Sequence, residues 1–300
     1  MAVQVRDDRN RTLTFARHPK RVVSLVPSDT YTVAKLLGVD ALVGRTDYCI
    51  EPEGELSSVP SVGGTKDYSV EKILDLRPDV VIANQEENTR ATLEKLAQEA
   101  VAVFVVFPKR VEDGVALVAR YARMFGVERD SRAKELVRAC HRALESQRSA
   151  RAALTPMRTF CPIWMDPLMT VHGDTYISDA LDLAGAQNVF ADRERRYPLA
   201  ADLGRAAPLP KERVADRDTR YPRVTFDEVV DRAPELIVLP NEPHPFSAED
   251  AERFRALDVP AAKQGRVAHI DGKDICWYGA WAAEGIPRLA QTIAGLRVQA

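Results

Sequence analysis

DSRAKELVRACHRALESQRSARAA, residues 130–153, has no Gly or Pro and is built largely from good helix formers. Its apolar residues Leu136, Val137, Cys140, Ala143 and Leu144 recur at three- and four-residue spacing, while Lys134, Glu135, Arg138 and Arg142 cover the other sides. The pattern predicts one unbroken helix, started by Asp130 or Ser131 as cap. At a rise of 1.5 Å per residue these 24 residues make a rod roughly 36 Å long, about one domain diameter.

What flanks the rod makes it the organiser of the chain. Residues 69–82 read SVEKILDLRPDVVI before it, and residues 225–238 read TFDEVVDRAPELIV after it. The two align without a gap, pairing Ser69 with Thr225, Glu71 with Asp227, Ile73 with Val229, Pro78 with Pro234 and Asp79 with Glu235. Each has a hydroxyl cap and an acidic first turn, then a short amphipathic helix, a break at Pro and a buried-type strand. One αβ unit is therefore used twice, once on each side of a long helix.

The length of 300 residues allows two lobes, each with its own core. A formal net charge of −2, with basic and acidic residues interspersed, argues against a nucleic-acid surface. No apolar run approaches the ~20 residues needed to cross a bilayer. The N-terminal stretch MAVQVRDDRNRTLTFARHPKR has no hydrophobic signal core and no lipidation cysteine, so a complete native product of this sequence would be cytoplasmic. The four cysteines lie far apart without a CxxC pair, and Cys140 reads as a small core residue on the rod.

In chain order, residues 3–15 predict a hairpin turning at 8–11. Val22–Val26 predicts a buried strand, followed at Ser28-Asp29-Thr30 by a helix whose free N–H groups suit an anion. Strands then alternate with helices, which calls for parallel sheets covered on both faces. The expected fold class is α/β: two Rossmann-like lobes with mainly parallel sheets, joined by one long rigid backbone helix. The lobes are expected at 1–127 and 156–300, with the linking helix at 128–155. Residues 192–222, dense in charge and Pro, predict a long inserted loop with one short helical turn.

The motifs SLVPSDTYTVAKLLG, VGRTDYC, VGGTKDYSVEKILDLRPDVVIA, PLMTVHGDTYISDALDLAGAQNVF, YPRVTFDEVVDRAPELIVLPNEP and GKDICWYGAW, in this order with the rod among them, resemble the helical-backbone metal-receptor family. These are class III substrate-binding proteins of ABC importers, which carry cobalamin, haem and iron–siderophore complexes. TDYC and WYG look most like the cobalamin-binding branch. The resemblance implies a monomer that holds a metal chelate, cobalamin or a related corrinoid (alternatively haem or a ferric siderophore), in a cleft between lobes. It implies ligand contacts from Tyr48, Lys66, Trp164, His172, Tyr221, Trp277 and Tyr278, with Tyr48, Trp277 and Tyr278 as stacking aromatics. It also implies docking on an ABC permease through Glu71 on one lobe and Asp227, with Glu228 beside it, on the other. By resemblance the location is periplasmic or at the cell surface. A cytoplasmic corrinoid or tetrapyrrole carrier without an importer is the rival reading.

Two departures bear on ligand identity: Tyr31 stands where the family often has Glu, and Lys66-Asp67 replaces a tryptophan that some cobalamin binders carry. Among five histidines none is paired at ligand spacing, which disfavours a bare metal site. His172 is the candidate for an axial ligand to a bound chelate, with His244 behind it. GxSxG, P-loop, HExxH and GxGxxG motifs are all absent, so no catalytic constellation or cofactor is expected.

Overall fold

The computed structural model describes residues 2–215 and 217–298. Positions 1, 299 and 300, at the ends of the expected lobes, and position 216, inside the expected insertion, lie outside them. The chain forms two compact units. The first runs to Leu144 and takes in Trp277–Ala283; the second comprises Glu145–Cys276 and the chain from Glu284 onward. The sequence pattern predicts that 156–300 belongs whole to the second lobe, whereas Trp277–Ala283 groups with the first unit. The boundary falls inside the rod, observed as the helix Ser131–Arg151. Ala133, Cys140 and Leu144 are its buried residues, and the Cys140 thiol lies 3.8 and 3.9 Å from the Gly279 and Ala280 carbonyls.

In the first unit, β1 (Val22–Ser24), β2 (Leu42–Arg45), β3 (Val80–Asn84) and β4 (Val103–Val106) form one parallel sheet in the order β2-β1-β3-β4. Strands buried on both faces account for the unbroken apolar runs in the sequence. Val23, Leu25, Ile73, Val81, Leu93, Leu96 and Val105 are part of one core cluster there. The predicted hairpin pairs Val3–Arg6 with Thr12–Phe15, and the Asp7 carboxylate closes its turn by accepting from the Arg9 and Arg11 N–H groups. The helix Val111–Phe125 ends at Gly126 in the left-handed conformation.

In the second unit, β5 (Met157–Phe160), β6 (Ala186–Asn188), β7 (Leu236–Pro240) and β8 (Val267–Ile270) form a parallel sheet in the order β6-β5-β7-β8. Phe160, Phe190, Val229, Ile237, Leu239 and Phe254 belong to its core cluster. The winding is that of the first unit, with the first strand inside, the second on one side and the third and fourth on the other.

The sequence repeat is the helix that leads into the third strand of each sheet, and it is duplicated at the level of atoms. Ser69 caps Val70–Asp75 by accepting from the Lys72 N–H, and Thr225 caps Phe226–Arg232 by accepting from the Glu228 N–H. Arg77 (φ 46°) and Ala233 (φ 44°) take the left-handed turn before the paired prolines. Asp79 then accepts from the Arg21 N–H just ahead of β1, and Glu235 from the Arg158 N–H at the start of β5. Arg21 and Arg158 each return a guanidinium hydrogen bond to the carbonyls ending the preceding helix, Leu76 and Arg232 respectively. Local chemistry, rather than only a shared periodicity, is what the two copies have in common.

Candidate functional site

An open parallel sheet takes up ligands beyond the carboxyl ends of its strands. In the first unit the chain leaving β2 is pinned by Cys49, whose buried sulfur lies 3.0 Å from the Thr30 hydroxyl and 3.1 Å from that of Thr46. This anchor turns the residues on either side outward: Tyr48 is 63% exposed and Ile50 61%. Two large apolar side chains held open beside a buried cysteine form a surface suited to a flat apolar partner. Lys66 is exposed, while Tyr68 two residues on is buried.

The crevice between the ends of β1 and β3, where the strand order reverses, is filled by the chain itself. The Tyr278 hydroxyl donates to Asp29 Oδ2 at 2.8 Å and accepts from Asn84 Nδ2 at 3.0 Å. Tyr121 donates to Asp29 Oδ1 at 2.7 Å. The Ala280 N–H donates to the Thr32 hydroxyl at 3.0 Å, and a Cβ on Gly279 (φ 73°) would fall 2.3 Å from that oxygen, so glycine is required there. Trp281 packs edge-on against Tyr31 and tilts against Trp277, each with ring centroids 5.1 Å apart. Burial pushes the Asp29 carboxyl up to about 7, against the lowering pull of the Tyr121 and Tyr278 hydrogen bonds.

Trp277 and Tyr278, expected as stacking aromatics, are only 6% and 5% exposed, and the Tyr278 hydroxyl is committed to Asp29 and Asn84. Asp29, read from sequence as part of a helix start beside an anion site, is instead the buried acceptor that holds this segment. The helix begins at Pro27, after Val26, with no side-chain cap. Proline there explains the early start, because its fixed φ suits the first helical turn. A carboxylate directly after the strand–Pro turn was the available signal; its tyrosine partners were not.

In the second unit Trp164 follows β5, on a ribbon formed by Pro162–Trp164 and Met169–Thr170, and is 44% exposed. Its ring lies 5.2 Å from that of His244, which follows β7 and meets Phe246 edge-on at 4.7 Å. Two residues weighed separately in the sequence thus form one aromatic surface. His172 is half-buried; its Nδ1 accepts from the Asp174 N–H at 3.0 Å, and its own N–H donates to the Arg220 carbonyl. Tyr221 is half-buried with the Arg220 guanidinium 5.6 Å above its ring. Among the described residues no group of three or more His, Cys, Asp or Glu side chains converges on a point.

Of the acidic first-turn residues, Glu71 and Asp227 are exposed on their equivalent helices. A backbone N–H, Ser69 and Lys95 hold the Glu71 carboxyl below its ordinary range. Glu228 is differently placed, since Arg193 Nε donates to it at 2.8 Å. Arg193 is the hub of the insertion. Its guanidinium also pairs with Asp202 at 3.0 Å and donates to the Asp202 carbonyl at 2.7 Å and to the Glu194 carbonyl. Asp202 in turn accepts from the Arg196 and Arg223 N–H groups. The expected long loop therefore contains a buried ion pair, along with a short helix at Leu199–Asp202 and a tight turn at Lys211–Arg213. Alternating charges in this stretch gave no sequence signal for which pair is buried.

Residues 22–273 match the family described as periplasmic binding protein. The vitamin B12-binding protein of Yersinia pestis is 27% identical over 225 residues, which is 75% of this chain and 70% of that relative. Among solved structures, the periplasmic vitamin B12 binding protein BtuF of Vibrio cholerae has a TM-score of 0.73 at 18% identity, over 94% of this chain and 99% of that one. The apo form of the periplasmic heme-binding protein RhuT from Roseiflexus sp. RS-1 has a TM-score of 0.73 at 17% identity, over 92% and 98%. At such identities these structures speak to the fold alone. Fold and family are those of substrate-binding proteins rather than enzymes. With most of its length matched, the chain belongs to the periplasmic binding protein family.

Proposed function

We propose that this protein binds a metal chelate, cobalamin or a related corrinoid, and delivers it to an ABC importer from the periplasm or cell surface. The observation that carries the reading is the vitamin B12-binding relative, aligned over three quarters of the chain. Exposed aromatics beyond the strand ends support it: Tyr48 with Ile50 on the first unit and Trp164 with His244 on the second. A corrin is a broad, largely apolar disc, and such surfaces bind it with little loss of side-chain freedom. Lys66, His172 and Tyr221 are assigned to its polar edge.

Haem is the second reading, favoured by the fold-level likeness to a heme-binding protein and by His244 beside Trp164. Titration with cyanocobalamin, cobinamide, haemin and a ferric siderophore, followed by visible spectra, decides between them. Saturable binding of a corrinoid is expected, weakened roughly tenfold, or about 1.4 kcal/mol, by Tyr48→Ala or Trp164→Ala. Binding of none of the four overturns the reading; haemin alone selects the alternative.

Glu71 and Asp227, carried on duplicated helices, are the proposed contacts to the permease. Glu71→Lys combined with Asp227→Lys is expected to lower vesicle uptake at least tenfold while leaving chelate affinity unchanged. Equal uptake by the double variant would remove that assignment.

A further inference from the structure

Among its described residues, the segment 192–223 carries more positive charge than the ion pairs Arg193–Asp202, Arg193–Glu228, Arg220–Asp218 and Arg232–Asp192 neutralise. Arg193 is matched by Asp202 and Glu228, and Arg220 is held by Asp218. Among the described residues, Arg195, Arg217 and Arg223 have no carboxylate within ion-pair distance. Two of these guanidinium groups nevertheless collect on one ring. Arg195 and Arg217 lie 4.5 and 4.9 Å from the centroid of Tyr197, and the Tyr197 hydroxyl is fixed by donating to the Asp218 carbonyl at 2.7 Å. Arg223 lies within electrostatic range of Arg195 and Tyr197, with Nε and Nη1 buried and without a hydrogen-bond partner among the described residues. Burial first, and then the charge of Arg195, oppose its ionisation.

A guanidinium holds its charge at any ordinary pH, so the cost of this crowding cannot be relieved by losing a proton. It is relieved by an anion. Carboxylates and phosphates match the guanidinium fork in geometry and supply several acceptors at once. Tyr197 contributes a rigid ring on which two of the cations stay in place without a carboxylate. We propose that Arg195 and Arg217, gathered on Tyr197, form with the unsatisfied guanidinium of Arg223 a binding site for a multivalent oxyanion, a polycarboxylate or a phosphate. The anion is either free in solution or the acidic edge of the chelate itself, and only the second case rests on the function proposed above.

The test is calorimetry and thermal unfolding of the full chain with citrate and with inorganic phosphate, against chloride at matched ionic strength. Citrate is expected to raise the unfolding midpoint in a saturable way, with affinity lowered at least tenfold in Arg223→Gln. Arg217→Gln, at an exposed residue, is expected to weaken binding without disturbing the fold. Citrate and phosphate acting no more strongly than chloride, or both variants responding like the parent, would overturn the site. Haemin, with two carboxylates, and cobinamide, with none, then identify the source. Weaker haemin binding in both variants with unchanged cobinamide binding assigns the anion to the cargo, whereas an effect on citrate alone assigns a free anion. Chelate binding by the parent protein is read separately, so failure of this site leaves the chelate reading standing.

Discussion

Replacing Arg193 with methionine is expected to destabilise the protein by about 3–5 kcal/mol, the usual cost of removing one partner from a buried ion pair. The Asp202 side chain is fully buried and the Arg193 side chain is 4% exposed. Methionine fills much of the volume but leaves the Asp202 carboxylate with only two backbone donors, and leaves the carbonyls of residues 194 and 202 without the guanidinium. Glu228 loses its closest cation but is partly exposed and can be hydrated, so it adds little. Urea unfolding monitored by circular dichroism reads the effect as a lower midpoint at unchanged slope. A loss below 1 kcal/mol would mean that the insertion reorganises around Asp202 at no cost. Asp202→Asn should fall between parent and Arg193→Met, because its one amide oxygen still accepts from one of the two N–H groups, Arg196 or Arg223, that the carboxylate oxygens hold separately.

The second large effect is a dependence on pH. Asp29 rises from 3.8 to about 7 on folding, chiefly because burial penalises its charge. The folded state therefore favours the neutral acid. The corresponding stability is fully present below the unfolded value of 3.8 and is lost as pH rises through about 7. Between pH 5 and pH 8 the loss is about 2–3 kcal/mol, and Asp29→Asn, neutral throughout, should abolish that part of the slope. The comparison of parent with variant removes the contribution of every other titrating group. Identical slopes would show that Asp29 stays ionised in the fold, its charge met by the Tyr121 and Tyr278 hydroxyls. Asp29→Ala is a harsher change, since it leaves two buried phenols without their acceptor.

What could be read in advance divides along the distance between interacting residues. Ser69 and Thr225, the prolines after each helix, and Asp79 with Glu235 announce the repeated unit because a cap, a break and a turn are local events. The same holds for the hairpin at Asp7 and for the rod. The α/β class with parallel sheets follows from them, since each buried strand must alternate with a covering helix. Trp277 and Tyr278 show where this kind of reading stops. Their aromatic character suits either a ligand surface or a core, and only Asp29, 249 positions from Tyr278, decides which face is turned inward. Likewise, Arg193 is one of many arginines in a charged stretch, and its burial depends on an acid nine positions away and another on a distant helix. Trp164 and His244 were legible singly but not as neighbours, because β5 and β7 pair only in the folded sheet.

The seven residues from Trp277 to Ala283 also set the order in which the protein can be made. A chain emerging from the ribosome exposes β1 to β4 before the second unit, yet the Asp29 carboxyl, the Thr32 hydroxyl and the Asn84 amide wait for a stretch translated after every strand of both sheets. The second unit's sheet strands have all been synthesised by then, so the first unit starts before those strands and closes only after them. Gene fragments cut at the rod would therefore yield an N-terminal piece lacking its own plug, and that piece needs residues 277–283 supplied in cis through a linker or as an added peptide.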